Sequence, residues 1–309
     1  MLYVGQRIVQ ALVSIFGVAT IIFFILRLTG DPVLLMVPQN ATAEDIAVLR
    51  HALGLDQPVG LQYLHFLKQI FTADLGYSYI QNMPVLDIVM ERIPYTIDLA
   101  IFALILTVII GVPLGMITAI YKGTWIEKIC MPFILVGQSM PAFWTGILLI
   151  MLFAVQLKWL PSSGAENLQS LILPAITLAS LSIATVARMT RSSMLEQLGQ
   201  DYVRTARSKG VGIPRMLYRH LLRNASIPII TVVGLECANL LGGSVITETI
   251  FAWPGLGQLT IQAIAARDFP LVQAVVVLGA AVYIFINLIT DLIYGWIDPR
   301  IKLGRETSQ

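Results

Sequence analysis

Long apolar segments alternate with polar ones along this chain. A window of about 19 residues finds six apolar segments, at residues 8–28, 97–121, 131–155, 171–189, 227–250 and 271–293. Each is long enough to cross a hydrocarbon layer of about 30 Å as an α-helix. The pattern therefore predicts an all-α polytopic membrane protein with six transmembrane helices. No small-residue cleavage site follows the first segment, so we interpret residues 1–28 as an uncleaved membrane helix.

The composition agrees with a membrane protein and offers little for a metal or redox site. Hydrophobic residues make up 57% of the 309 positions and charged residues 12%, whereas about a quarter of the residues in a soluble domain are charged. A net charge of +2 gives no reason to expect a nucleic-acid partner. Cys130 and Cys237 are far apart and the three histidines form no HExxH pattern, so we expect no bound metal.

Lysine and arginine are distributed unequally between the polar segments. If the N-terminus is cytoplasmic, 14 of the 20 basic residues lie on the cytoplasmic side, and the opposite side holds only Arg27, Arg50, Lys68, Arg92, Lys158 and Arg267. Basic residues are enriched in the cytoplasmic loops of membrane proteins. We therefore expect a multi-pass protein of the inner (plasma) membrane whose two ends, including the tail at residues 299–309, are cytoplasmic.

The segment at residues 29–96 is long and polar enough to form a small extracytoplasmic subdomain. In "TAEDIAVLRHALG", Thr42 is a suitable N-cap and Gly54 a suitable helix terminator. A second helix is expected after Pro58. Alternatively, this subdomain has no function of its own and only packs on the membrane helices.

The cytoplasmic loop at residues 190–226 contains the polar segment "DYVRTARSKGVGIPR". Helical spacing places Tyr202, Thr205, Ala206 and Lys209 on one face, and Gly210 is expected to end this helix. Pro214 can begin a second short helix that continues to residue 223. Retention of basic residues in the cytoplasm would explain the charge but not two helices, so we expect an element that docks on another protein.

Several motifs resemble one family of membrane proteins. "YVRTARSKG" is similar to the cytoplasmic EAA loop of ABC importer permeases, with Ala206 and Gly210 matching and with Arg204 and Thr205 in place of Glu and Ala. "ETIFAWPGLGQLTIQAIAARDFPLVQA" at residues 248–274 is more specific, and "RLTGDP", "LGLDQP", "LRNASIP" and "DPRI" extend the resemblance over nearly the whole chain. The chain thus resembles the permease subunits of the peptide/nickel (dipeptide and oligopeptide) ABC importer family.

The resemblance implies a fold, a function and partners. The fold is that of type I ABC importers, with the permease domain at residues 97–298, and the chain forms half of a translocation pathway. The partners are a second related permease, two cytoplasmic ATPase subunits and an extracytoplasmic substrate-binding protein. No GxxxxGK[ST] phosphate loop occurs in the sequence, so we expect no enzyme activity in this chain and ATP with Mg²⁺ only in the ATPase subunits. The residues expected to couple to the ATPase are Tyr202, Arg204, Thr205, Ala206, Arg207, Lys209, Gly210, Pro214 and Arg215.

Polar residues inside the apolar segments are candidates for the solute pathway, because a polar group at membrane depth is costly. These candidates are Gln138, Ser139, Glu236, Asn239 and Ser244. For Glu236 the alternative is a protonated acid bound to a neighbouring helix. Pro113 and Pro141 are expected to kink the second and third membrane helices.

A further set of residues is expected to face the extracytoplasmic mouth. The segment before the last membrane helix begins with Pro and Gly and continues as a short amphipathic helix. We expect it to dock the substrate-binding protein through Trp253, Pro254, Gly255, Arg267 and Asp268.

The substrate is left open by the sequence, because members of the family carry dipeptides, oligopeptides, glutathione, nickel or metal chelates, or opines. Peptide is the main expectation, since no His or Cys cluster lines a helix. Two other classes of protein are less compatible with the pattern. A secondary transporter should show a repeat of interrupted helices, and an intramembrane enzyme should show a catalytic motif such as HExxH or GxSxG.

Overall fold

The structure is a computed structural model that describes residues 2–28, 33, 42–72, 74–210, 212, 216, 221–242 and 244–297, and it is mostly helical. The described residues form twelve α-helices and one two-stranded hairpin. They are α1 (Leu2–Leu28), α2 (Ala43–Ala52), α3 (Val59–Thr72), β1 (Tyr77–Ser78), β2 (Met83–Pro84), α4 (Val85–Ile120), α5 (Trp125–Ser139), α6 (Ala142–Leu149), α7 (Leu168–Leu198), α8 (Asp201–Ser208), α9 (Leu222–Gly242), α10 (Ser244–Ile250), α11 (Leu256–Ala266) and α12 (Phe269–Ile297). A π-helical turn, Ile150–Gln156, continues α6.

Among the described residues, five helices are long and apolar enough to cross a membrane, namely α1, α4, α7, α9 and α12. The third predicted segment is instead divided into α5 and α6, which are bent by 110° and give a sixth span if they are counted together. Pro141 is the N-cap of α6, where the lack of an N–H and the bulk of the ring interrupt a helix. The expected kink at Pro141 is therefore a break. The fifth predicted segment corresponds to α9 and α10, and the residue between them lies outside the described residues.

Helix α4 begins twelve residues before the predicted segment and is 36 residues long. Its first turns are helical because Val85, Ile88 and Val89, at helical spacing, are buried in a cluster with residues of α11 and α12. Asp87 and Glu91 lie on the exposed side of the same turns. At 1.5 Å per residue the helix is about 54 Å long, which exceeds the thickness of a hydrocarbon layer.

One compact unit comprises Met1–Tyr95 and Pro254–Leu288. Phe23 of α1, Phe66 of α3 and Val277 of α12 are buried together in it. Helix α2 begins with a capping box, as predicted for Thr42: the Asp45 amide donates to Thr42 Oγ1 at 3.2 Å, and the Thr42 amide donates to Asp45 Oδ2 at 2.9 Å. Gly54, with φ of +64°, follows this helix in the left-handed conformation.

The other compact unit comprises Thr96–Trp253 and Ile289–Gln309. Helix α7 is its centre and packs against α5, α6 and α9. Its most apolar window is 67% buried, compared with 11% for α1. Gly115 of α4 lies so close to α7 that a Cβ atom there would be 2.4 Å from the carbonyl oxygen of Ala187. Small residues permit this close approach between two membrane helices.

Candidate functional site

The polar segment after α7 forms a short helix with a defined end. Helix α7 ends at Leu198, and α8 begins after two connecting residues. The Lys209 amide donates to the Thr205 carbonyl at 3.2 Å, and Gly210 then adopts φ of +74°. Because a left-handed conformation is costly for residues with a Cβ atom, glycine ends the helix here as the sequence predicts.

Val203 anchors α8 to the membrane helices. It is buried in a cluster with Met116 of α4, Met194 of α7 and Ile229 of α9. Tyr202 packs at the edge of this cluster, and its hydroxyl donates to Gln197 Oε1 at 2.8 Å. Helix α8 is therefore held by one face. Tyr202 was predicted from the sequence and Val203 was not, although Val203 is the one branched aliphatic residue of this helix and so the best candidate for a buried contact.

The opposite face of α8 is polar and exposed. Arg204, Thr205, Ser208 and Lys209 are exposed and Ala206 is half-buried. The structure thus places three of the predicted coupling residues on one accessible surface. Several predicted features lie outside the described residues, namely the side chain of Arg207, Pro214, Arg215 and most of the expected second short helix. The last two residues of that expected helix, 222 and 223, belong to the start of α9.

Arg191 of α7 and Glu127 of α5 form an ion pair in the same unit. Both side chains are mostly buried, and Glu127 Oε2 also accepts a hydrogen bond from the Gly123 amide at 2.6 Å. The carboxylate therefore fixes both the turn that precedes α5 and its contact with α7.

Glu236 is the buried acid that the sequence identifies at membrane depth. It is 8% exposed on α9 and accepts a hydrogen bond from Ser182 Oγ of α7 at 2.6 Å. This contact corresponds to the alternative interpretation, an acid bound to a neighbouring helix. A hydroxyl donor also satisfies one oxygen of the acid, which lowers the cost of placing it in an apolar layer.

The other predicted pathway residues have separate surroundings. Gln138 is half-buried, whereas Ser139 and Asn239 are exposed. Ser139 Oγ donates to the Leu135 carbonyl at 2.9 Å, and buried Ser244 donates to the Leu241 carbonyl at 3.0 Å. Each serine hydroxyl thus has a partner in the preceding helical turn. Gln138 and Ser139 lie at the break between α5 and α6.

Glu248 is a buried acid that was not predicted from the sequence. It lies on α10, is fully buried, and accepts a hydrogen bond from Thr96 Oγ1 of α4 at 2.8 Å. Its carbonyl also accepts from the Trp253 amide at 2.8 Å. The carboxylate was overlooked because it falls near the end of an apolar segment, where acids usually face water.

The expected docking residues differ in exposure. Arg267 is exposed in the left-handed conformation (φ of +58°) at the end of α11. Asp268 and Trp253 are almost fully buried, and Gly255 is buried as well. These three side chains are therefore covered within the chain itself, whereas Pro254, which is partly exposed, and Arg267 are accessible. Docking by this segment stays a prediction. Among the described residues, no group of three His, Cys, Asp or Glu side chains is arranged to hold a metal ion.

Comparison with protein families decides the identity of the chain. The family described as binding-protein-dependent transport system inner membrane component matches residues 111–303, and the family of its N-terminal part matches residues 1–100. The first match covers more than half of the chain. The chain belongs to this family. It is therefore the membrane permease subunit of an ABC importer and a multi-pass inner membrane protein.

Curated relatives match this permease over almost their whole length. The dipeptide transport system permease protein DppB of Alkalihalophilus pseudofirmus is 39% identical over 329 residues, which cover 97% of this chain and 99% of the relative. The glutathione transport system permease protein GsiC of Escherichia coli is 40% identical over 301 residues, which cover 97% of this chain and 98% of the relative. The resemblance to peptide permeases inferred from the motifs is confirmed.

A solved structure confirms the fold class. The MetNI methionine ABC transporter in an inward-facing conformation contains a chain that matches 70% of this permease with a TM-score of 0.60. The match covers 98% of that chain at 18% sequence identity, so it shows a common fold. The expected type I importer architecture is therefore present.

Proposed function

We propose that this permease imports di- or oligopeptides. The observation that carries the proposal is the 39% identity to a dipeptide permease over 97% of the chain. A relative from Sinorhizobium fredii named as a probable peptide ABC transporter permease, 40% identical, supports the same substrate class. Glutathione is the second candidate, because the equally similar Escherichia coli relative is named for it.

The proposed complex contains a second related permease, two cytoplasmic ATPase subunits that bind ATP and Mg²⁺, and an extracytoplasmic binding protein. Membership of a binding-protein-dependent family supports the ATPase and the binding protein as partners. Purification of the tagged chain from its native membrane, followed by mass spectrometry, is expected to identify these subunits. Recovery of the permease alone under conditions that preserve other importers would contradict the proposed complex.

The substrate is tested with the binding protein recovered in that purification. We expect its bound ligand to be a peptide, and we expect unlabelled dipeptides to compete with a labelled dipeptide for uptake into vesicles containing the complete complex. Glutathione and a nickel chelate serve as parallel competitors. Competition by glutathione alone would select the second candidate, and competition by the nickel chelate alone would contradict both.

The proposed coupling element is the exposed face of α8, residues Arg204, Thr205 and Lys209. Its charge suits an acidic or polar cleft of an ATPase subunit. The opposite face supports the mechanical role, since Val203 is buried among residues of α4, α7 and α9. Protein interiors are densely packed and transmit displacement with little compression. A movement of α8 driven by ATPase closure is therefore expected to move these three membrane helices together.

The proposed orientation places α8 and both termini in the cytoplasm. It rests on the 14 basic residues assigned to that side by the sequence. The hairpin and helices α2 and α3 then lie toward the extracytoplasmic side, where Pro254 and Arg267 are proposed to contact the binding protein.

A further inference from the structure

Helix α3 carries apolar side chains on two opposite sides. Its inner side presents Tyr63, Phe66 and Ile70 to a cluster that includes Phe23 of α1. Its other side leaves three large apolar residues exposed, with 48%, 59% and 83% of the surface accessible for Leu61, Leu64 and Phe71 respectively. At 100° per residue these three lie within about 80° of one another, on the side opposite Phe66. A helix on the surface of a soluble domain normally has a single apolar face.

Contacts with α1 place α3 at membrane depth. Thr20 Oγ1 and the Tyr63 hydroxyl are hydrogen-bonded at 2.7 Å, and the rings of Phe16 and Tyr63 meet edge to face with centroids 6.5 Å apart. Thr20 is eight residues before Leu28, where α1 ends, so the Tyr63 contact lies about 12 Å inside that end. The apolar span of α1 is Gly5–Leu28. Tyr63 therefore touches a part of α1 that is surrounded by the hydrocarbon layer.

A second membrane helix gives the same depth independently. Phe66 and Val277 of α12 are buried in one cluster. The apolar span of α12 begins at Phe269, so Val277 lies about 12 Å inside it. Helix α3 thus packs against two spans, each about two turns inside its end, and its opposite side cannot lie in bulk water at that depth.

The cations near α3 are positioned for the boundary between hydrocarbon and headgroups. Arg27, in the last turn of α1, donates through Nε and Nη2 to Gln62 Oε1 at 3.1 and 2.6 Å, and its guanidinium lies 3.4 Å from the centre of the Phe23 ring. Lys68 is exposed on the same side of α3 as Leu64. Long basic side chains can extend from an apolar layer to the headgroups.

We propose that α3 is a membrane-embedded helix in the leaflet where α1 ends, with Leu61, Leu64 and Phe71 against lipid acyl chains and Lys68 reaching the headgroups. Lipid is the occupant because this surface continues the apolar surface of α1: Phe24, itself exposed, stacks on Tyr63 with ring centroids 5.9 Å apart. Under the proposed orientation this is the outer leaflet. The residues between α1 and α4 are then partly a membrane element and not wholly an aqueous subdomain.

Spin labels measure the environment of this helix in the assembled transporter in lipid nanodiscs. Single cysteines at Leu64 and Phe71, in a chain carrying C130A and C237A, are compared with a cysteine at Val48, an apolar residue of α2 that is 65% exposed. We expect labels at positions 64 and 71 to collide more often with oxygen than with a water-soluble nickel chelate, because oxygen concentrates in the hydrocarbon layer. The reverse ratio is expected at position 48.

Two results at positions 64 and 71 would overturn the proposal. Collision mainly with the nickel chelate would place this exposed side of α3 in water. Immobile labels that are protected from both reagents would indicate a protein partner, such as the second permease. A photoreactive benzoylphenylalanine in place of Leu64 gives a measurement that keeps both native cysteines. It is expected to form adducts with phospholipid, detected by mass spectrometry, whereas crosslinks only to another subunit would contradict lipid as the occupant.

Discussion

Ser78 donates a buried hydrogen bond to Oδ2 of Asp268, although 190 positions separate the two residues. The other carboxylate oxygen, Oδ1, accepts from the Leu271 amide at 3.3 Å, so Asp268 is also the N-cap of α12. One side chain therefore joins the hairpin to the start of a membrane helix. This dual role explains why Asp268 is buried.

Replacing Asp268 by alanine is expected to destabilise the unit formed by Met1–Tyr95 and Pro254–Leu288. The variant loses a helix cap and leaves the Ser78 hydroxyl without its acceptor, each of which costs about 1 to 2 kcal/mol. Thermal unfolding of the purified protein in detergent measures the effect. The neighbouring variant R267N is the control, because asparagine tolerates the left-handed conformation and the arginine side chain is exposed. Equal stability of the two variants would contradict the capping role.

Replacing Gly115 by alanine is expected to separate α4 from α7. The new Cβ atom would lie 2.4 Å from the Ala187 carbonyl oxygen and 2.6 Å from Thr190 Cβ, and a helix backbone cannot rotate aside as a side chain does. Overpacking of this kind costs about 1 to 3 kcal/mol. Gly279→Ala in α12 is a matched control, since nothing lies within 4 Å of its Cβ position. The prediction is wrong if the two variants unfold at the same temperature.

Replacing Gly210 by valine is expected to impair coupling while the protein still inserts in the membrane. The φ of +74° is strained by about 1 to 2 kcal/mol for a residue with a Cβ atom, so the end of α8 must change. Co-purification of the ATPase and transport per ATP hydrolysed measure the defect. Gly212→Val is the control, because Gly210 has a positive φ and Gly212 does not.

Charge reversal at Lys209 tests the exposed face of α8 separately. Normal coupling in both G210V and K209E would leave α8 with a topological role only.

The capping box of α2 predicts a pH dependence. Hydrogen bonds from the backbone amide and side chain of Thr42 hold the pKa of Asp45 below its ordinary value of 3.8. A lowered pKa in the folded state means that the stabilisation is fully present above pH 3.8 and is lost as the pH falls through the lower value. Hydrogen exchange of residues 43–52, corrected for intrinsic rates, is expected to show protection that decreases in this range.

The variant Asp45→Asn separates this effect from that of Asp56. Hydrogen bonding with His51 lowers the pKa of Asp56 as well, so some pH dependence at the end of α2 should remain in the variant. Protection at the start of α2 should become independent of pH. If the hydrogen-exchange protection of α2 depends on pH in Asp45→Asn as it does in the native protein, a group other than Asp45 is responsible.

The orientation predicts which introduced cysteines are accessible from outside the cell. Ser163 and Ser208 are both exposed, and they lie beyond opposite ends of α7. Ser163→Cys is expected to react with an impermeant thiol reagent in intact cells, and Ser208→Cys only after the membrane is opened. The native chain, with its two cysteines, is the control for background labelling. Reaction at position 208 in intact cells would contradict both the orientation and the proposed coupling role of α8. Ser78 is unsuitable because it is fully buried.

The sequence predicted the apolar segments well because membrane solvation acts locally on about 20 consecutive residues. Thr42, Gly54 and Gly210 were also correct, since caps and left-handed glycines depend on a few neighbouring positions. The start of α4 at Val85 was missed because its first turns are stabilised by contacts with residues more than 160 positions later. Such long-range packing leaves only a weak local signal.

The candidate site was predicted less completely than the fold. The exposed face of α8 follows from its polar composition, but the partners of Glu236 and Glu248 are serine and threonine residues on other helices. These hydroxyls are too common in membrane helices to be distinguished in one sequence. Asp268 was assigned to a docking surface because it follows a short amphipathic helix, whereas two hydrogen bonds to its carboxylate permit its burial.

The break at Pro141 also changes the backbone chemistry of the apolar layer. In a continuous helix the carbonyl of Gly137 would accept a hydrogen bond from the residue four positions later, but that residue is Pro141, which has no N–H. The 110° change of direction also removes helical donors from the carbonyls that follow. Peptide oxygens at this depth require water or protein donors. Lipid alone would leave these oxygens unsatisfied, so we expect water or donors from neighbouring protein at this turn in the assembled transporter.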